Sequence, residues 1–486
     1  MRNPIPYPHR FEPAALVERA RTSVYPVVKV HDALTAIELS LDASALQRVT
    51  RVHAARVRVG DVLAENIHAQ RPHPYFRASI KDGYAVIAND GAGRRTVIGT
   101  SCSQKAANKV KVAMGIGKCC RINTGAPLPD GADAVVQVED TALIEHDGQE
   151  ELVIKICKKP RLGQNIREIG SDMAVGELLL EAGQRVGAAE LALLTLSEAT
   201  SVLVYERARV GVLSTGDELY DAFDATPTAP THPLDDKAAP SEPTSGDATS
   251  DATTLSDYSQ CGIVDTNRPM LMALFDAKSF AARDLGIASD SLDELYNAIL
   301  AGFERCDVLV TSGGVSMGEK DYVKYVLVNR LGFRVHFGRV RIKPGLPTTF
   351  ASGELAGRPK LVFCLPGNPV SAFVTAHLFV VPALRRISGL KHYTNARISC
   401  AHNITLDARP EYRRACLAKK KEAHSLHDEH DDSPPLVECV TGAQISSRLL
   451  SVRAASLLME LPSRDDAPNA IVAAGTPIKA FIIDEL

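Results

Sequence analysis

A glycine turn between hydroxyl groups is the segment of this 486-residue chain best suited to chemistry. An apolar run at 306–310 leads into Thr-Ser-Gly-Gly-Val-Ser at 311–316, and Asp321 follows shortly afterwards. Glycines let the backbone approach an oxyanion closely, and a helix N-terminus offers free N–H groups to a phosphate. A carboxylate beside such a turn suits a metal ion. Because many α/β proteins carry such turns for structural reasons, this segment alone leaves a phosphate site and a purely structural turn open.

Similar loops follow three other predicted strands, at 210–213, 262–264 and 361–365. They contain Ser214, Thr215, Gly216, Asp217, Asp265, Pro366, Gly367, Asn368 and Ser371. In an open α/β sheet, ligands bind outside the carboxyl ends of the strands. The four loops together therefore predict a site rich in oxyanion donors and metal-ligand oxygens. The alternative for Asp265 and Ser371 is that each is the N-cap of a helix.

Two charged residues lie in further turns. Lys343 stands where a predicted strand ends at Pro344, and a lysine beside a rigid Pro-Gly turn can bind an anion as a point charge. The alternative is an ordinary surface lysine. Asp82 precedes a glycine in a region rich in short strands, where it could simply close a turn.

The hydrophobic pattern predicts a multidomain chain, α/β plus β. Strands alternate with helices between about 209 and 390, which predicts βαβ units around a mostly parallel sheet. Ser291 and Glu294 form the sequence signature of a capping box that opens one of those helices. The predicted parts are an irregular arm at 1–25, a discontinuous helical and extended linker domain at 26–71 and 159–207, an inserted small β domain at 72–158, the α/β domain at 208–390 and a C-terminal β domain at 391–486.

Two segments read as insertions. Residues 221–260 are rich in Pro, Thr, Ser, Ala and Asp and bury too little apolar surface to offset their ordering entropy, which predicts disorder. Residues 419–435 are charged and contain three histidines. That spacing could hold a metal, but the composition favours a solvated surface loop.

Composition narrows the class of protein. A net charge of −3 gives no electrostatic support to nucleic-acid binding. The ten cysteines show no Cys-x-x-Cys spacing, so neither a zinc module nor a disulfide framework is indicated. The N-terminus lacks the apolar core of a secretory signal. Prolines and a glycine interrupt the most apolar stretch, 361–384, which predicts a buried strand and helix and no membrane span. The expected setting is the cytoplasm.

Seven segments, in order along the chain, resemble the motifs of one family. They are residues 81–86, 124–136, 214–219, 265–268, 312–316, 343–345 and 366–371. They are similar to the molybdopterin molybdenumtransferases, which include bacterial MoeA and the E domains of plant Cnx proteins and gephyrin. The segment 442–450 also resembles the last domain of that family.

The resemblance implies an elongated homodimer of four-domain subunits, with 208–390 as the molybdopterin-binding domain. Such proteins insert molybdate into adenylylated molybdopterin and release AMP with the help of a divalent cation such as Mg²⁺. The resemblance assigns Asp265 and Asp321 to the metal and the pyrophosphate, and Asp82 to a cleft completed by the dimer partner. It assigns Glu190 as another functional acid. The remaining assignments are phosphate and substrate contacts at Ser214, Thr215, Gly216, Asp217, Ser312, Gly313, Gly314, Ser316, Pro366, Gly367 and Asn368, and oxyanion contacts at Lys343, Pro344 and Ser371.

The chain departs from the family pattern at two positions. Leu346 replaces a second lysine, as in gephyrin-like members, and Glu319 stands where others often have Asp. No region resembles the companion adenylyltransferase domain, so a separate protein is expected to adenylylate the pterin. Two alternatives are a scaffold of the gephyrin E-domain type that binds a partner's peptide, and a pterin nucleotidyl transferase.

Overall fold

The computed structural model describes residues 25–101, 114–222, 262–314, 322–390, 395–418, 434–440, 444–467 and 469–484. The chain divides into two compact units. Unit 1 is Met1–Thr50, Gly60–Val62 and Tyr205–Leu486, and unit 2 is Arg51–Val59 and Leu63–Val204. The five-part division of the chain stays a prediction. The two predicted insertions coincide largely with 223–261 and 419–433, which lie outside the described residues.

The centre of unit 1 is a six-stranded sheet. Its strands are β1 Arg209–Thr215, β2 Ala281–Ala288, β3 Val308–Ser312, β4 Arg334–Phe337, β5 Thr349–Leu355 and β6 Arg358–Leu365. They lie in the order β2-β1-β3-β6-β5-β4. The first four are mutually parallel and the last two pairings are antiparallel, so the predicted, mostly parallel sheet is confirmed. Ser312 of β3 is in register with Ser214 of β1 and with Leu365 of β6, so these three strands end level.

A buried carboxylate ties the opposite ends of the same three strands together. Asp307 accepts hydrogen bonds from Arg209 at 2.8 Å, Lys360 at 3.1 Å and Arg48 at 2.5 Å. Burial alone would raise the pKa of Asp307, but these cations outweigh it and hold the pKa below its usual value. The three strands that carry the candidate site at their carboxyl ends are thus tied together at their amino ends.

Helices cover the sheet where the sequence predicts them. They are α1 Val30–Ala43, α2 Asn267–Ala277, α3 Leu292–Arg305, α4 Tyr322–Tyr325 with a π-helical extension Val326–Arg330, and α5, which runs Pro369–Thr375, Ala376–Val380 as a π-helical turn and Val381–Ile387. On α1, the buried side chains Ala33, Ile37 and Leu41 are four residues apart, the spacing of one helix face. The helix α5 is long and apolar enough to cross a membrane, but 78% of its apolar window is buried inside the protein.

The predicted capping box at the start of α3 is wrong. Ser291 occupies the N-cap position, but its side chain makes no capping hydrogen bond. Glu294 instead accepts a hydrogen bond from the hydroxyl of Ser289, which lies before the helix. The sequence signature correctly predicts where the helix begins. The Glu294 carboxylate that a capping box requires is bonded to the Ser289 hydroxyl.

A closed five-stranded barrel completes unit 1. Its strands are β7 Asn395–Cys400, β8 Glu411–Leu417, β9 Leu436–Cys439, β10 Leu457–Leu461 and β11 Pro477–Ile482, in the order β7-β9-β8-β10-β11. A short pair, Ile404–Thr405 and Ile471–Val472, lies beside it. Tyr412 and Leu458 of the barrel belong to the same buried apolar cluster as Phe363 of β6 and Phe379 of α5. The barrel therefore packs directly on the α/β part.

Unit 2 is built mainly of strands. Its six-stranded sheet has the order Ala134–Gln137, Gly83–Val86, Lys118–Ile122, Gly93–Ser101, Glu151–Ile156, Thr141–His146. The strand Ala78–Ser79 pairs with Ile166–Arg167, and Ile67–His68 pairs with Leu178–Leu180. One helix, Ala188–Leu196, follows. Further strands of the described residues are Val49–His53, Val62–Leu63, Ser201–Tyr205, Leu219–Tyr220 and Ile263–Val264.

Candidate active site

Three turns meet at the carboxyl edge of the unit 1 sheet. They follow β1, β3 and β6, the strands that end level with one another. The amide of Gly313 donates to the carbonyl of Leu365 at 3.2 Å. A β-carbon placed on Gly367 would lie 3.6 Å from the Cα of Gly313, so the turns after β3 and β6 are in contact. The expectation that these loops share one edge of the sheet is confirmed.

Glycine is required at both positions of the turn after β3. Gly313 has φ +89° and Gly314 has φ +64°, the left-handed region that other residues rarely adopt. A β-carbon on Gly313 would lie 2.5 Å from the carbonyl oxygen of Thr215. A β-carbon on Gly314 would lie 2.7 Å from the Thr215 hydroxyl oxygen. The turns after β1 and β3 are therefore packed backbone to backbone.

The end of β1 and the turn after it supply hydroxyls and carboxylates. Ser214 and Thr215 are buried, and the hydroxyl of Thr215 donates weakly, at 3.4 Å, to the carbonyl of Ser312. Asp217 is exposed and accepts a hydrogen bond from the amide of Asp290 at 2.9 Å. Glu218 was not among the predicted site residues. Its carboxylate lies over Gly216, where a β-carbon would be 2.7 Å from both of its oxygens. The 214–219 motif contained this signal, because the motif includes a second acid.

Residues 263–264 do not belong to the main sheet, contrary to prediction. Ile263–Val264 instead pairs in parallel with Leu219–Tyr220 in a small two-stranded ribbon. The chain that follows still reaches the site, since α2 begins at Asn267. The side-chain nitrogen of Asn267 donates hydrogen bonds to the Ser312 hydroxyl and to the Gly367 carbonyl, each at 2.7 Å.

Asp265, the predicted metal ligand, is held by Arg268. Its two oxygens accept hydrogen bonds from the Arg268 amide at 3.2 Å and from the guanidinium at 3.0 Å, and its side chain is 1% exposed. The same guanidinium also pairs with Asp221 and Asp284. The bond to the Arg268 amide resembles the N-cap contact raised as the alternative, but Thr266 occupies the N-cap position of α2, so Asp265 lies one residue before the cap.

The surroundings of Asp265 do not fit a divalent cation. Its carboxylate is buried and already faces a guanidinium charge. Within the part of the chain that the structure describes, no three His, Cys, Asp or Glu side chains come together as they would around a metal ion. Asp321, the second predicted ligand, and Ser316 lie outside the described residues.

Lys343 is fixed by the barrel. Its ammonium group lies 2.9 Å from a carboxylate oxygen of Asp407 and 3.5 Å from one of Glu411. Burial acts to raise the pKa of Asp407, but the hydrogen bonds from Lys343 and the Arg409 amide lower it overall. The peptide bond from Lys343 to Pro344 is cis. Sequence reasoning missed both acids, since they come from a different part of the chain.

The turn after β6 contacts the segment that follows β9. Pro366 is buried, while Gly367 and Asn368 are exposed. The Asn368 amide donates to the Ser446 hydroxyl at 3.2 Å. Ser371 is buried in the first turn of α5, and its carbonyl accepts the Thr375 hydroxyl at 2.7 Å.

The two remaining predicted acids lie in unit 2. Asp82 is exposed and accepts hydrogen bonds from the amide of Thr124 at 2.6 Å and its hydroxyl at 3.1 Å. These bonds hold the pKa of Asp82 below its usual value. Glu190 is half-buried and accepts the amide of Gly187 at 2.9 Å at the start of its helix. That contact gives Glu190 a structural role as a helix cap.

Comparison with known proteins agrees with this architecture. Residues 28–197 match the family model described as the MoeA N-terminal region, domains I and II. Residues 211–386 match the probable molybdopterin binding domain. The chain is 34% identical over 334 residues to the molybdopterin molybdenumtransferase of Haemophilus influenzae, covering 68% of this chain and 71% of that protein.

This chain belongs to the molybdopterin molybdenumtransferase family. The resemblance drawn from the seven motifs is thereby confirmed. Another member, gephyrin of Dictyostelium discoideum, is 34% identical over 468 residues, which cover 87% of this chain. The chain spans 58% of the length of that relative. Among solved structures, the molybdopterin biosynthesis MoeA protein of Pyrococcus horikoshii matches with a TM-score of 0.68 at 23% identity, over 95% of this chain and 100% of that one. The last match supports the MoeA-like multidomain fold.

Proposed function

We propose that this protein inserts molybdenum from molybdate into adenylylated molybdopterin and releases AMP. The observation that carries the proposal is the Ser312-Gly313-Gly314 turn, packed between Thr215 and Gly367 at the carboxyl edge of a parallel sheet. Backbone N–H groups that follow one another in a turn form concave sites for anions. The amide of Gly313 is already bonded to the Leu365 carbonyl, so the proposal requires the amides that follow it to face the anion. Membership of the family supplies the substrate class, which the turn alone does not specify.

The remaining residues have complementary roles in this proposal. The turn residues Ser214, Thr215, Gly216 and Asp217 and the turn 366–368 line the phosphate side. Lys343 and Ser371 would contact an oxyanion, with Asp407 fixing the position of the lysine ammonium group. Because Asp407 and Glu411 already hold the Lys343 ammonium group in place, the lysine loses little further conformational freedom when it binds an anion. The functional roles of Asp82 and Glu190 stay predictions.

A divalent cation such as Mg²⁺ also stays a prediction. Of the two acids assigned to the cation, Asp265 is already paired with Arg268, so Asp321 is the assigned ligand that this proposal retains. We propose that the protein acts as a homodimer and that an adenylyltransferase supplies its substrate. Both proposals rest on the resemblance to the family.

Purified protein mixed with adenylylated molybdopterin, Mg²⁺ and molybdate tests the function. We expect AMP, followed by chromatography, and active molybdenum cofactor, followed by reconstitution of a molybdenum enzyme that lacks it. Omission of molybdate distinguishes insertion from simple hydrolysis. Asp321→Ala is expected to lose most turnover, and Asn403→Ala, in an exposed turn of the barrel, is the matched control. Normal turnover by the Asp321 variant contradicts its catalytic assignment, and no AMP from the wild-type protein contradicts the function.

A further inference from the structure

Asn267 lies in the 265–268 motif but is not among the residues assigned to the site, yet it contacts two of the three turns. It is the first residue of α2 and is 7% exposed. Its side-chain nitrogen donates one hydrogen bond to the Ser312 hydroxyl and one to the Gly367 carbonyl, both at 2.7 Å. A single amide group thus bridges the turn after β3 and the turn after β6.

The Gly367 carbonyl fixes which way the amide faces. A carbonyl oxygen only accepts hydrogen bonds, so the NH₂ group of Asn267 must point at it. The same NH₂ group then meets the Ser312 hydroxyl, whose oxygen accepts. The proton of that hydroxyl is left to point away from Asn267. The asparagine therefore sets the direction in which Ser312 donates.

The opposite side of the same amide is unsatisfied. The Asn267 carbonyl oxygen is buried and has no hydrogen-bond partner among the described residues. An unsatisfied buried acceptor costs free energy, so stability alone does not favour an asparagine here. The presence of asparagine here is therefore better explained by the two turns that its side-chain nitrogen connects.

The start of α2 is itself rigidly anchored. Arg268, the next residue, binds Asp265 through its backbone and side chain, and it pairs with Asp284 of β2 and with Asp221. Its side chain is 9% exposed. The buried Arg268 guanidinium connects the helix start to the sheet, so the side-chain amide of Asn267 has a fixed place from which to hold the two turns.

We infer that Asn267 is a positioning residue, which sets the separation of the Ser312-Gly313-Gly314 turn from the Gly367 turn and orients the Ser312 hydroxyl toward the bound anion. This inference rests on the proposed function, because it takes the turns to bind the adenylyl phosphate. It does not make Asn267 a contact of the substrate.

Two variants and a double-mutant cycle test the inference. Asn267→Ala removes both hydrogen bonds, and Asn267→Asp keeps the shape but places an acceptor against the Gly367 carbonyl. We expect each to raise KM for adenylylated molybdopterin, and the Kd for AMP by calorimetry, about tenfold, with a smaller change in kcat. Because one of its two bonds acts through Ser312, Asn267→Ala added to Ser312→Ala should weaken AMP binding less than it does alone, with the remainder due to the bond to Gly367. Asn403→Ala, which removes one exposed side-chain contact to the Ala474 amide, should leave AMP binding unchanged.

Each outcome has one meaning. If the wild-type protein binds AMP but both Asn267 variants bind it equally well, the positioning role is wrong while the proposed function stands. If the effects of Asn267→Ala and Ser312→Ala add fully, Asn267 does not orient the Ser312 hydroxyl, and that part of the inference is wrong. If the wild-type protein neither binds AMP nor releases it, the proposed function fails, and the inference fails with it. A variant that loses AMP binding only together with its melting transition is replaced by the other substitution.

Discussion

At the scale of single residues, the glycine turn allows a sharp test. Gly313→Ala combines left-handed backbone strain with a contact of 2.5 Å to the Thr215 carbonyl, whereas Gly357→Ala has similar strain at φ +71° and nothing within 4 Å. Strain alone costs about 1–2 kcal/mol in each. We expect Gly313→Ala to lose AMP binding as well as stability, and Gly357→Ala, in the turn at the far end of β6, to lose stability only. Equal AMP affinities, measured by calorimetry, would show that the turn does not bind phosphate.

His377 allows a test of pH dependence. It is buried on α5 against the Phe373 ring, and neither ring nitrogen has a hydrogen-bond partner among the described residues. Burial, with the nearby Lys278 charge, lowers the pKa of His377 to about 3. The unfolded chain, with an ordinary pKa near ~6.5, therefore binds a proton that the folded protein excludes, and stability falls as the pH drops below that value.

We expect the wild-type protein to lose about 2 kcal/mol from this group between pH 7 and pH 5. His377→Leu should remove that loss, and it should be at least as stable at pH 7 because it leaves no buried unpaired nitrogen. Urea unfolding at each pH measures the difference between the two proteins. The exposed His402→Gln is the control. A difference that stays constant from pH 7 to pH 5 would contradict the assignment.

At the scale of elements, the cluster around Arg268 separates two roles of Asp265. If Asp265 anchors α2, Asp265→Asn should lower the free energy of unfolding by about 1–3 kcal/mol and leave the Mg²⁺ dependence of AMP release unchanged. Asp284→Asn is the matched control, because it removes a half-exposed partner of the same guanidinium and should cost less. Should Asp265→Asn keep its stability but need far more Mg²⁺, Asp265 is a metal ligand that exchanges Arg268 for the cation.

Elements were predictable from local pattern, while the partners of their charged residues were not. Helical apolar spacing identified α1, whose buried side chains recur every four residues, and a continuous apolar run identified β3, all five residues of which are buried. Two-residue strands such as Ile263–Val264 carry too little pattern to show which sheet they join. The pairing of Lys343 with Asp407 depends on residues 64 apart in sequence, and that of Lys360 with Asp307 on residues 53 apart. The spacing of neighbouring residues contains no information about such distant ion pairs. The motifs therefore predicted the turns of the site but not the charged partners beside them.

At the scale of the whole molecule, the site assignments fall on both units. Ser312 and Asp321 belong to unit 1, and Asp82 belongs to unit 2. The resemblance implies that Asp82 completes the site of the dimer partner. In a closed dimer with two-fold symmetry, each site would then need one subunit for Asp82 and the other for Asp321.

Mixed dimers test this arrangement. Asp82→Ala and Asp321→Ala subunits with different affinity tags are co-expressed, and dimers that carry both tags are purified. If Asp82 acts across the dimer, one of the two sites keeps both acids, so about half of the wild-type AMP release should return although each variant alone is inactive. If Asp82 acts within its own subunit, every site of the mixed dimer lacks one acid, and no activity should return. A dimer that carries both substitutions on one subunit and none on the other reverses the expectation, since each of two shared sites would then lack one acid, whereas an unshared site in the unsubstituted subunit would be intact.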